Sequence, residues 1–253
     1  MAVSKSILTV SALAFALMFG GGVYVLSQLN VLAKPLVEKI ASDALGADVS
    51  IGAMDISLPE KRVRVRDIHI ANPEGFSKPH ALGVGNIEVG LRSVSKGLID
   101  FENIDVGAVQ VFLEVQPDGT NLHKLKSGIK GGKEEAGKEP LKVIIRHFVL
   151  EGAQVYPSVT LLDVQDLKPV KVAPVRLNGI GVKENGILAR EAVAQVMAPL
   201  LETFSQAAGD AGFYQGMSPG ALKEMGMDQL EVIKEQIRQE VDNIGEGLKK
   251  IFD

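Results

Sequence analysis

The chain contains no cysteine in its 253 residues. That excludes disulfides, zinc–thiolate and iron–sulfur sites, a cysteine nucleophile and a lipidated cysteine anchor. It also lacks an excess of basic charge. With 27 Lys and Arg against 31 Asp and Glu, the net charge is −4, so no positive field is available to recruit nucleic acid. Charge of either sign is missing from Ile7 to Leu29. No pair of carboxylates stands out for acid–base work. The four histidines, His69, His80, His123 and His147, show no i,i+4 spacing and no acidic partner at ligand spacing. The expectation is a protein with no catalytic residues, no metal and no cofactor, and so not an enzyme.

Two patterns imitate catalytic motifs. Gly216-Met217-Ser218-Pro219-Gly220 fits G-x-S-x-G, but a glycine-rich break precedes it where a nucleophile elbow needs a strand. Pro219 instead reads as the first residue of a helix capped by Ser218. Gly132 to Glu139 nearly spells a phosphate-binding loop, yet Glu139 stands where a magnesium-holding Ser or Thr belongs.

The uncharged segment is the strongest single signal. At about 1.5 Å per residue, the stretch from Ile7 to Leu29 makes a helix of roughly 34 Å, enough to cross a hydrocarbon core of about 30 Å. Gly20, Gly21 and Gly22 lie within it, and membrane helices tolerate glycine. Val31-Leu32-Ala33 is a passable signal-cleavage site, but the apolar run far exceeds a signal-peptide core of about 7–15 residues. The reading is a signal anchor. The short tail carrying Lys5, weighed against Lys34 and Lys39 beyond the span, favours the N-terminus inside and the main body exported.

After the span, Pro35 can open a helix whose apolar positions Leu36, Val37, Ile40, Ala41, Ala44 and Leu45 end at Gly46. The period then changes to two. Val49, Ile51, Ile56 and Leu58 lead to a turn at Pro59-Glu60-Lys61. Val63 and Val65 follow, then a one-residue slip at Arg66–Asp67 keeps Ile68 and Ile70 on the same side, as a β-bulge would. Ile87, Val89 and Leu91 form the next strand. Ile99 and Phe101 give way, through a second slip at Glu102–Asn103, to Ile104 and Val106. Val109, Val111, Leu113 and Val115 alternate with Gln110, Phe112, Glu114 and Gln116 before the Pro117-Asp118-Gly119 turn. Such a sheet has one apolar face and one wet face.

Asn121 can cap a short helix to about Ile129. Gly131 to Pro140 reads as a flexible loop. Strands resume at Leu141–Leu150 and about Gln154–Leu162. Lys168 to Ile180, with Pro169 and Pro174, reads as an edge strand or an irregular ending rather than a central strand. Ile187 to about Ala208 is expected to be a helix with Val193, Val196, Met197, Leu200, Leu201 and Phe204 on one side, followed by a break from Gly209 to Gly216. A second helix, Pro219 to about Phe252, carries Leu230, Ile233, Ile237, Val241, Ile244, Leu248 and Ile251 as an apolar stripe. The five basic and eight acidic side chains between Pro219 and Asp253 suit it poorly to an anionic membrane. The stripe packs within the chain, or it serves a protein partner or self-association.

The stretch from Pro35 to about Leu125 resembles the N-terminal region of AsmA-like proteins of bacterial envelopes. The points of resemblance are Ala44-Leu45-Gly46, Val49-Ser50-Ile51-Gly52, Val63 to Ile70 running into Asn72-Pro73-Glu74-Gly75-Phe76, then Ile87-Glu88-Val89, Ser93–Gly97 and Ile99–Val106, and finally Asp118-Gly119-Thr120-Asn121-Leu122. The Asn-Pro-Glu-Gly-Phe and Asp-Gly-x-Asn-Leu turns are the most specific pieces. Pro174 to Gly181, followed by an alanine-rich helix, resembles the ending of short, one-module members. The resemblance implies likeness to bridge-like lipid-transfer proteins, in which a curled sheet forms a gutter that accepts acyl chains.

The expected fold is mainly β with α: an N-terminal transmembrane helix, one curled antiparallel sheet (a β-groove) and two C-terminal helices. Its divisions are a cytoplasmic tail and anchor (1–34), the AsmA-like sheet domain (35–186) and a helical appendage (187–253). The groove candidates are Val63, Val65, Ile68, Ile70, Ile87, Val89, Leu91, Ile99, Phe101, Ile104, Val106, Val109, Val111, Leu113 and Val115. Eight or nine strands at roughly 4.8 Å would give a gutter of about 40 Å. The resemblance further implies the bacterial inner membrane, with the sheet domain in the periplasm and phospholipid acyl chains as ligands. A structural adaptor, with the sheet as a plain core, is the alternative.

Overall fold

The computed structural model describes residues 23–95, 97–116, 119–129, 141–159 and 168–214. The span from Ile7 to Gly22, the loop 131–140, the 219–252 helix and both imitation motifs lie outside the described residues. Within them the chain is mainly β, with three helices and a curled, unclosed sheet.

Helix α1 runs Val23–Leu45 without interruption. It therefore contains the last seven residues of the uncharged segment, and Pro35 sits inside it rather than at its first position. The bond that proline forfeits is the one to the Val31 carbonyl. No described helix is long and apolar enough to cross a membrane. Gly46 ends α1 with φ +65°, and an added Cβ there would stand 2.8 Å from the Gly128 carbonyl, so glycine serves both the turn and the close approach.

Strands β1 (Val49–Ser57), β2 (Arg62–Ala71), β3 (His80–Ser95) and β4 (Leu98–Gln116) form an antiparallel meander. The two-residue β5 (Gly119–Thr120) turns back on the end of β4, and α2 (Asn121–Gly128) follows. The next strands break the antiparallel expectation. β6 (Lys142–Leu150) and β7 (Gln154–Val159) both pair with β4 in parallel. The connection from Gln116 to Lys142 is long enough to carry the chain back to the start of β4, and alternation encodes which face a residue takes but not strand direction. The sheet is mixed, not antiparallel.

β6 and β7 are one strand with a local interruption. Val106 faces Leu150 and Gln110 faces Gln154, so the register is unchanged across the gap. β8 (Val170–Lys171) and β9 (Val175–Ile180) pair antiparallel with them in the same way, end to end. Among the described residues they have no partner on their other side, in keeping with Pro169 and Pro174. The sheet is thus six strands abreast, about 24 Å across at 4.8 Å per spacing, narrower than the sequence suggested. β10 (Ile187–Leu188) extends the pairing of β6, so these two residues precede rather than begin helix α3 (Ala189–Asp210).

The slip read at Arg66–Asp67 is part of a row that crosses every strand. The inward apolar positions jump by three residues at the same level: Ile51 to Met54, Val65 to Ile68, Val84 to Ile87, Val106 to Val109, Leu150 to Ala153 and Val172 to Val175. In the first four strands, the residues between them (Gly52, Asp67, Gly85 and Ala108) lack ladder pairs. Asp67, Ala108 and Gly152 have φ of 55°, 54° and 71°. A Cβ on Gly52 would come within 2.7 Å of Asp67 Cβ, and one on Gly85 within 2.8 Å of Ala108 Cβ. Glycine on one strand thus makes room for the left-handed residue on the next. A second row, at Glu102–Asn103, Arg146–His147 and Asn178–Gly179, repeats the device. The pairing of β3 with β4 shifts at its level, where Gly90 faces Asn103 and Leu91 faces Phe101. Bulges bend and twist strands, so two aligned rows curl the sheet.

Candidate functional site

The apolar face of this curled sheet is the candidate site, and the structure divides it. At one end lie Ile70, Val109, Val111, Leu113 and Val115, all buried. Leu45 at the end of α1, Leu122 and Leu125 of α2, and Val196, Leu200, Leu201 and Phe204 of α3 join them in one core. These residues line a helix-covered interior. Val193 and Met197, expected on the same helix side, pack at its margin.

Towards the other end, over β2 and β3, the described helices give the same face little cover, although α3 starts at that end against β10. The described helices pack against β1, against the end of β4 with β5, and against β6 to β10; β2 and β3 take at most marginal helix contact. Here Val63, Ile87, Leu91, Ile99, Phe101 and Ile104 are only partly buried, while Val65, Ile68, Val89 and Val106 are buried among their neighbours. All fifteen sequence-predicted positions share one face, but only part of it is accessible.

Several residues of this face escaped the sequence reading. Val143, Ile145, Phe148 and Leu150 of β6 belong to the same core, as do Leu82 and Val155. The run Val143-Ile144-Ile145 hid the alternation, because Ile144 is buried too, on the opposite side of the strand. The slip at Arg146–His147 was the available signal.

The wet face holds two buried acids. Asp100 takes a two-pronged ion pair from Arg146, Nε to Oδ1 at 3.0 Å and Nη2 to Oδ2 at 2.8 Å. Glu114, expected in solvent, is 2 % exposed. The β2–β3 connection covers it: the Ser77 hydroxyl donates at 2.6 Å, the Ser77 and Lys78 amides at 2.8 Å, and Asn72 Nδ2 at 2.5 Å. Burial pushes this carboxyl up, but those hydrogen bonds outweigh it and hold it below its ordinary value. Asn72 Oδ1 accepts from Asn121 Nδ2 at 2.9 Å. Asn121 Oδ1 in turn accepts from the Glu114 and Leu122 amides. The capping residue of α2 is therefore Thr120, whose side chain accepts from the His123 amide, and not Asn121. The two turns singled out as the most specific sequence features thus meet around one carboxylate.

The arrangement presents an apolar surface and an ordered loop; among the described residues, His69, His80 and His147 pair with other side chains rather than with a nucleophile. His69 stacks on His80 with ring centroids 4.6 Å apart, and His147 Nδ1 lies 2.9 Å from Asn178 Oδ1. Comparison with family models, curated proteins and solved structures returned no match to the chain.

Proposed function

We propose that the chain is a membrane-anchored, AsmA-like envelope protein that handles lipid through the apolar face of its curled sheet. The observation that carries the reading is an unclosed apolar face, covered by helices at the Val109–Val115 end and left partly exposed at Val63, Ile87, Leu91, Phe101 and Ile104. A surface of that kind takes acyl chains by burying their methylenes, at about 0.8 kcal/mol for each. On this reading Ile7–Leu29 spans the bacterial inner membrane and the sheet domain lies in the periplasm. The protein carries lipid without chemistry, in transport or in maintenance of the envelope.

A structural adaptor is the second reading. The complete burial of Val111 and Leu113 favours it, because that end of the sheet is an ordinary core. In that case partner binding or self-association falls to the apolar stripe Leu230–Ile251.

A photo-reactive fatty acid separates the two. With crosslinking probes at Leu91, Phe101 and Val111 of the full-length protein, lipid handling predicts labelling at Leu91 and Phe101 and none at Val111. Exclusion from all three positions, with no lipid co-purifying in mass spectrometry, would leave the adaptor. Orientation has its own check: a reporter active only in the exported compartment works after Asp253 and is silent at residue 5.

A further inference from the structure

We propose that one rim of the sheet, the strand ends carrying Val94 and Val182, rests on the surface of the bilayer into which α1 leads. The inference rests on the reading of Ile7–Leu29 as a membrane anchor.

The direction of α1 carries the argument. Glu38 Oε1 accepts from the Ile51 amide at 2.7 Å, and Ser42 Oγ accepts from the Val49 amide at 2.8 Å. Moving towards the helix N-terminus therefore moves up β1 towards the β1–β2 turn. From Glu38 back to Asn30 is about 12 Å of helix; from Ile51 forward to Asp55 is about 13 Å of strand. The end of the uncharged segment, Leu29, is thus level with the last residues of β1. α1 is unbroken over this distance, and its two side-chain bonds fix it to the strand edge.

Three connections lie at that same end of the strands. They are the β1–β2 turn around Leu58 to Lys61, the end of β3 running to the start of β4, and residues 181–186 between β9 and β10, which approach Leu98 and Lys142 at Gly186. Among the described residues four large apolar side chains are exposed, and two of them, Val94 at 38 % and Val182 at 37 %, are on this rim. Lys61, Lys142 and Lys183 stand there exposed, with no ion-pair partner among the described residues. Glu184 and Asp55 are the countervailing charges, and Glu60 is paired with Arg62. A hollow of about 350 Å³ opens beside the turn, with Asp55, Glu60, Arg62 and Arg64 in its lining. Apolar tips among unpaired lysines suit the interfacial layer of a bilayer, and mixed charge beside them suits zwitterionic head groups. The opposite end of the sheet, with the 72–79 connection and α2, faces away.

The absence of cysteine makes the test direct. The full-length chain is reconstituted into phosphatidylethanolamine–phosphatidylglycerol vesicles with spin labels at Val94→Cys, Val182→Cys or Glu74→Cys, and a trace of lipid with gadolinium on its head group. β2 is ten residues long, so Glu74 stands roughly 30 Å above the rim at ~3.3 Å per residue. Labels at Val94 and Val182 are expected to relax several-fold faster than the label at Glu74. Equal rates at the three sites, or a faster rate at Glu74, would overturn the rim assignment while leaving the anchor intact. A chain that fails to float with the vesicles after an alkaline wash would overturn the anchor and the rim together. Val94→Asp should slow relaxation of the label at Val182, and Val182→Asp that of the label at Val94, without lowering the thermal midpoint, because both sites are exposed.

Discussion

The two ends of the apolar face have the same sequence grammar and different fates. Val109, Val111, Leu113 and Val115 alternate no more cleanly than Ile87, Val89 and Leu91. Yet the first set lies beneath three helices, and much of the second is half-exposed with at most marginal contact from the described helices. Alternation states that a face is apolar; what comes to lie on it depends on where distant segments pack. The polar face repeats the lesson. Glu88 is exposed beside Arg64, whereas Glu114, four-fold hydrogen-bonded, is sealed under a connection that begins 42 residues earlier in the chain.

The comparison is broken most severely by a charge at the covered end. Val111→Asp leaves a carboxylate with no partner in the core and should cost several kcal/mol, or trap the acid in its neutral form. Gln110→Asp, its neighbour on the wet face, should cost under about 1 kcal/mol in urea unfolding. Equal losses would show that the face assignment is wrong.

Next in size is Glu114→Ala. It strands the Ser77, Lys78 and Asn72 donors and should cost about 3 kcal/mol, against a few tenths for Glu88→Ala. The pH dependence has a definite sign. Because the folded-state carboxyl lies below its ordinary value, its contribution is complete above the unfolded pKa of about 4.3 and is lost as pH falls through the folded one. The thermal midpoint of the wild type should therefore drop more steeply below about pH 4 than that of Glu114→Gln.

The aligned slips give a smaller effect with opposite signs. Gly85→Ala puts a Cβ within 2.8 Å of Ala108 Cβ and should destabilise, by about 1–3 kcal/mol. Ala108→Gly relieves a residue held at φ 54° and should be neutral or stabilising by up to about 1 kcal/mol. If both substitutions prove neutral, the two strands do not interlock at this row.

Least costly is truncation at the open end. Leu113→Ala should lose about 2–4 kcal/mol by leaving a cavity under the helices, while Leu91→Ala should lose about 1 kcal/mol or less. Parity between them would mean that the open end is as well packed as the covered one. That result would remove the main support for lipid access.

By itself the sequence determined which residues share a face. It also located both slips, because a step from period two is visible in Val65-Arg66-Asp67-Ile68 and in Phe101-Glu102-Asn103-Ile104, and in Pro169 and Pro174 it marked an edge. These are local properties of side-chain spacing and proline chemistry. Only the tertiary structure decided that the first slip lines up across six strands and the second across three, that β6 and β7 join β4 in parallel, and that α1 passes through Pro35 and points along β1 towards the turn. Only there do Asn72, Glu114 and Asn121 come together. Register, direction and cover depend on pairing between residues far apart in the chain, which no local period records.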